Sequence, residues 1–202
     1  MTYPLSDSFC TRFHCSKPFL PYYPRRELSI RSHDPPAPNV GNCDLTRDGA
    51  WEREWKHPLE RCILHPPRPG SFGTTTVDLK IVEHIQVVNV HPPESSLPPC
   101  NIPLMAKIYD PLYYDHEQDD ADPFLCVDRA YCHETAAYKA LPELQGTIMP
   151  RYYGSYSFDL PASDATTRSV RMILIEVVTG SCMQQLSSRY SFSVFSSGSD
   201  NG

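Results

Sequence analysis

From Thr76 onward apolar residues recur with a period of two. Val77, Leu79 and Ile81 alternate with Asp78 and Lys80, the pattern of a strand with one buried face. Ile85, Val87, Val88 and Val90 continue in β-type residues, either as one long strand or as two with a tight break. The proline-rich stretch 91–99 reads as a loop. Residues 104–109 make a further strand, with Leu104, Ala106 and Ile108 on one face and Met105, Lys107 and Tyr109 on the other. The acidic stretch 115–122 reads as a solvated connection, since it lacks the glycine-centred turn and spaced oxygens of a metal loop. A helix follows, with Asp128 as its N-cap and Val127, Tyr131, Ala137, Tyr138 and Leu141 as its buried stripe; it stops at Pro142 or one turn later at Gly146. Residues 151–160 and 169–178 form an antiparallel hairpin around the polar loop 161–168. This order predicts an α+β fold, a twisted antiparallel sheet of about five strands with one main helix against it.

The first part of the chain differs in kind. Sixteen of the 21 prolines lie at or before Pro103, so residues 1–75 read as a proline-rich, largely irregular arm. One short helix is expected there, over 48–63, capped by Asp48, with Trp51, Trp55 and Leu59 recurring every four residues and the two tryptophans docking the arm. The Ser-rich stretch 187–202 reads as a disordered tail. A net charge of −6 argues against a nucleic-acid binder. No apolar run near the C-terminus exceeds residues 172–175, and the first residues lack the basic start and apolar stretch of a signal peptide. Neither a membrane span nor export is therefore expected, and the chain reads as intracellular, cytoplasmic or nuclear. The eight cysteines have no framework spacing and read as reduced thiols.

Two charges stand at positions whose neighbours predict burial. Lys107 interrupts an apolar strand, and Glu134 lies three residues after Tyr131 and four before Tyr138. Burying an unpaired charge costs on the order of several kcal/mol. Either the two pair where the helix meets the sheet, or each extends separately to the edge.

These residues carry a resemblance. Met105-Ala-Lys107-Ile resembles the third strand of a protein-kinase N-lobe, whose lysine pairs with a glutamate on the next helix and with ATP phosphates. His133-Glu-Thr-Ala-Ala-Tyr-Lys-Ala-Leu141 is similar to that helix, and Ile148-Met-Pro-Arg-Tyr-Tyr-Gly-Ser-Tyr156 to the fourth strand. Ser169-Val-Arg-Met-Ile-Leu-Ile-Glu-Val-Val-Thr-Gly180 is similar to the fifth strand and the hinge. The wording also resembles a group of uncharacterised fungal kinase-like proteins. The resemblance covers residues 76–186 and implies a kinase-like N-lobe there, with ATP as its ligand. It implies that Lys107 binds phosphate, that Glu134 is its helix partner and that Ile175 is the gatekeeper behind the adenine. Glu176 and Val178 would offer hinge backbone groups.

Other parts of that family's pattern are missing. No glycine occurs between Gly73 and Gly146, so His84-Ile-Gln-Val-Val stands where a glycine-rich phosphate loop would be. Met105 replaces the small residue usual two positions before the lysine. The 202 residues contain no His-Arg-Asp catalytic loop and no Asp-Phe-Gly. The expectation is a truncated kinase-like domain, a catalytically inactive pseudokinase-like module that binds a protein partner through the face a C-lobe would cover. One alternative is the N-terminal fragment of an active ATP-dependent kinase. Another is a zinc-binding module using Cys10, His14 and Cys15 with Cys62 and His65. Cys132 beside His133 does not read as a nucleophile and base, because adjacent helix positions point in different directions.

Overall fold

The computed structural model describes residues 17–82, 87–91, 103–114 and 120–178. Its strands are β1 (Glu27–Asp34), β2 (Ser71–Ile81), β3 (Val87–His91), β4 (Leu104–Tyr109), β5 (Tyr152–Pro161) and β6 (Thr167–Glu176). Its helices are α1 (Arg47–Trp55), α2 (Pro58–Leu64) and α3 (Pro123–Ala140). The fold is α+β, as expected. All strand pairings are antiparallel, and the order β1-β2-β3-β4-β6-β5 closes into a barrel.

Closure comes from β1, which the sequence reading assigned to an irregular arm. It pairs with β2 from Glu27↔Lys80 to Asp34↔Ser71 and with β5 through Arg31↔Ser157 and Ser32↔Tyr156. The arm's prolines stop at Pro24 and resume at Pro35, and between them Leu28 and Ile30 alternate with exposed Glu27, Ser29 and Arg31. That short window satisfies the ladder. The arm is thus part of the sheet, and β2 itself starts at Ser71, five residues before the expected boundary. The β-type run through Val90 forms two strands, β2 and β3, with residues 82–86 between them, and they pair from Ile81↔Val88 to Asp78↔His91.

The expected helix over 48–63 is two helices. Pro58 begins α2 at a position where its missing N–H costs nothing, and α1 ends before it. Thr46, not Asp48, caps α1, its Oγ1 accepting from the Gly49 amide at 3.1 Å. Trp51 and Trp55 are 57% and 60% exposed, so they do not dock the arm. Cys62 does, in a small cluster with Leu112 and Phe124.

Helix α3 starts earlier than expected. Asp122 caps it, its Oδ1 accepting from the amides of Phe124 (2.9 Å) and Leu125 (3.2 Å), and Pro123 takes the first helical position. The buried stripe is Phe124, Tyr131, Cys132, Thr135 and Tyr138; Ala137 and Leu141 are exposed. The hairpin forms as expected, β5 to β6, with a register shift between Tyr152 and Gly154. Gly154 sits there at φ 122°, a backbone region that side chains disfavour.

Strand alternation divides the core in two. Leu104, Ala106, Met172 and Leu174 fill the barrel with Ile30, Val77 and Leu79. Tyr109, Ile173 and Ile175 face outward and pack against Tyr131, Cys132 and Tyr138 of α3. Near one end Arg168 makes a bidentate pair with Asp110, at 2.5 and 2.9 Å, both side chains almost fully buried. The Tyr22 hydroxyl also donates to Asp110, at 2.5 Å.

Candidate functional site

Lys107 lies in the middle of β4 on the outward face, opposite Ile173 of β6. Two residues on, Tyr109 shares that face. Burial of Tyr131 and Tyr138 fixes the rotation of α3 and brings Glu134, between them, over β4. Its Oε2 accepts from the Lys107 ammonium and from the Tyr109 hydroxyl, the latter at 2.6 Å. Thus the two charges pair across the helix–sheet contact. Burial, and then the Glu134 carboxylate, push the Tyr109 hydroxyl above its ordinary range, so it remains a donor. Lys107 remains 50% and Glu134 26% exposed. An exposed pair of this kind contributes about 0–1 kcal/mol.

Ile175 pairs in register with Met105 and is buried on the same outward face, two positions along β6 from the residue opposite Lys107. Glu176 follows, paired with Leu104. Its amide already donates to the Arg151 carbonyl at 2.9 Å, and its carboxylate accepts from the Arg151 amide at 3.1 Å. The backbone donor of Glu176 is therefore engaged within the fold. Val178 is exposed just beyond β6. So Lys107, Glu134 and Ile175 gather on one face, with Glu176 and Val178 at its margin. Tyr109 was missed as a member of this cluster; its place on the same strand face as Lys107 was the available signal.

A cavity of about 310 Å3 opens farther toward the start of α3. Tyr109 belongs to its lining, but Lys107, Glu134, Ile175, Glu176 and Val178 do not. Sequence reasoning gave no sign of it, because its walls come from α3, β6 and the segment after α2.

The two buried thiols, Cys62 and Cys132, are poor nucleophiles. Burial pushes Cys62 up to about 12 and Cys132 up to about 11. His133 is turned away, its Nε2 3.0 Å from the Asn39 carbonyl. Among the described residues no group of three or more His, Cys, Asp or Glu is placed to hold a metal. His65 instead contacts Glu52 through Nε2 at 2.5 Å. Cys10, His14, Cys15, His84, the start of the acidic stretch and the Ser-rich tail lie outside the described residues. No described helix is long and apolar enough to cross a membrane.

Comparison with protein-family models, with curated proteins and with solved structures finds no match to this chain.

Proposed function

We propose that this chain is a protein-kinase-like N-lobe module that acts by binding a protein partner, with Lys107 and Glu134 as an inherited pair and no phosphoryl transfer of its own. The observation that carries the partner reading is a set of exposed apolar side chains, Leu141, Ile148 and Val178, on the segments that leave α3, lead into β5 and leave β6. The last two segments are tied together by the Arg151–Glu176 bonds. Exposed apolar groups on neighbouring segments favour a partner surface. The nucleotide side of the resemblance is weaker. The five-residue β2–β3 connection has no glycine to let backbone amides close on a phosphate, and Met105 stands beside Ile175.

The test is a photo-crosslinking amino acid at position 148 of the full chain, expressed in the cells that make it. A discrete adduct from position 148, absent when the probe replaces the exposed arm residue Phe19, is the expected result. No adduct, or the same adducts from both positions, would count against the proposal. A second reading, the N-lobe of an active phosphotransferase carried on a longer chain, is favoured by one observation: the Lys107–Glu134 pair is formed, as activity in that family requires.

A further inference from the structure

Arg171 is a buried cation with no ion pair among the described residues. It sits on the outward face of β6, opposite Tyr109 on one side and Ser157 on the other, and is 6% exposed. Its guanidinium donates to the Ser157 hydroxyl and, at 3.5 Å, to the Arg68 carbonyl, and it stands 5.8 Å from the Phe72 ring centre. Its Nε is buried with no partner among the described residues, and none of their carboxylates lies within ion-pair distance; Asp128 and Asp159 act on it only from farther away. Arg168, three residues earlier, has the bidentate Asp110. An unpaired buried guanidinium is costly, so its retention needs a reason.

The reason is in the cavity that Arg171 lines. Two carboxylates line the same cavity, and both are engaged. Asp128 accepts from the Arg68 amide at 3.1 Å and stands 3.8 Å from its guanidinium, while Asp122 caps α3. Arg171 has neither arrangement. The other walls are apolar and aromatic, among them Phe124, Val127, Pro111 and Tyr131. At about 310 Å3 the space is at the small end of the range for small-molecule sites, roughly 300–1,000 Å3.

We propose that this cavity is a binding site for a small aryl carboxylate, its carboxylate paired with Arg171 and its ring seated among Phe124, Val127 and Pro111. A planar guanidinium matches a carboxylate with two parallel bonds. Arg68 and Arg171 offset Asp122 and Asp128, so the lining opposes a doubly charged phosphate more strongly than a monoanion. The site shares Tyr109 with the Lys107 cluster but none of Lys107, Glu134 or Ile175, and it does not rest on the kinase-like reading.

Calorimetry on the full chain tests this with 4-phenylbutyrate and its neutral amide, 4-phenylbutyramide, as probes. The acid is expected to bind at least tenfold more tightly than the amide. Arg171→Gln should erase that preference, and Leu125→Trp, which fills the cavity from its exposed rim, should weaken both probes. Lys107→Met should leave both unchanged. Equal binding of acid and amide, no binding at millimolar probe, or a preference that survives Arg171→Gln would overturn the proposal. So would loss of binding in Lys107→Met, which would move the ligand to the other cluster. If Arg171→Gln does not fold, the acid–amide comparison and Leu125→Trp decide the matter.

Discussion

Two ion pairs start three residues apart on the same stretch of chain. Lys107 reaches Glu134 on the outside of the barrel, and Asp110 meets Arg168 near one end of it. Their settings are opposite. The side chains of Arg168 and Asp110 are 4% and 3% exposed, whereas those of Lys107 and Glu134 are 50% and 26% exposed. In the first pair removal of either partner strands a charge away from water, so the pair is bound into the fold. In the second, water solvates whichever partner remains, so the pair adds little to stability and is free to respond to a ligand. The difference separates a structural ion pair from one whose presence calls for another explanation.

The comparison can be broken most directly at Asp110. Asp110→Ala is expected to cost about 3–5 kcal/mol in urea unfolding, because Arg168 would stay buried and unpaired; a loss below about 1 kcal/mol would mean that Arg168 escapes to water. His33 offers a pH test of the same principle. It is 3% exposed, its Nδ1 2.8 Å from the Tyr131 hydroxyl, and burial, followed by the Arg171 charge, lowers it from 6.5 to about 4. The folded state therefore holds His33 neutral between these values while the unfolded state takes up a proton. Its contribution is intact above pH 6.5 and is lost as pH falls toward 4, by about 3 kcal/mol in all. Urea unfolding from pH 7 to pH 4 should show this component, and His33→Phe should lack it; an identical profile in the variant would contradict the assignment. Lys107→Met should change stability by less than about 1 kcal/mol, and a cost near that of Asp110→Ala would erase the contrast. Trp55→Ala should have the smallest effect, within about 0.5 kcal/mol, because the ring is exposed.

Alternation at Val77, Leu79 and Ile81 and along 104–109 was legible, because one face of each strand lies in the barrel; the hairpin was legible as two strands around a polar loop, although β6 is buried on both faces. Strand β1 was not. Only Leu28 and Ile30 mark it, between prolines, and its place is decided by two neighbouring strands far along the chain. The start of α3 was legible in principle: Asp122-Pro123 is a cap followed by the residue favoured at the first helical position, and Asp128 masked it by offering a second cap before the tyrosines. Lys107 and Glu134 were legible as charges among apolar neighbours. Asp110 and Arg168 were not, since their partnership spans 58 residues and neither interrupts an apolar pattern. Arg171 looked like an ordinary polar position of an alternating strand until β5, α3 and the segment after α2 enclosed it.

The central claim is that the Lys107 cluster belongs to a binding module that does not use nucleotide. Thermal unfolding of the full chain with and without millimolar Mg-ATP, beside Lys107→Met, tests it most directly. A ligand that binds only the folded state at a hundredfold excess over its dissociation constant adds about 2.7 kcal/mol. The account predicts no shift in either protein. A rise in melting temperature for the natural chain that Lys107→Met abolishes would contradict it and place a nucleotide phosphate on Lys107.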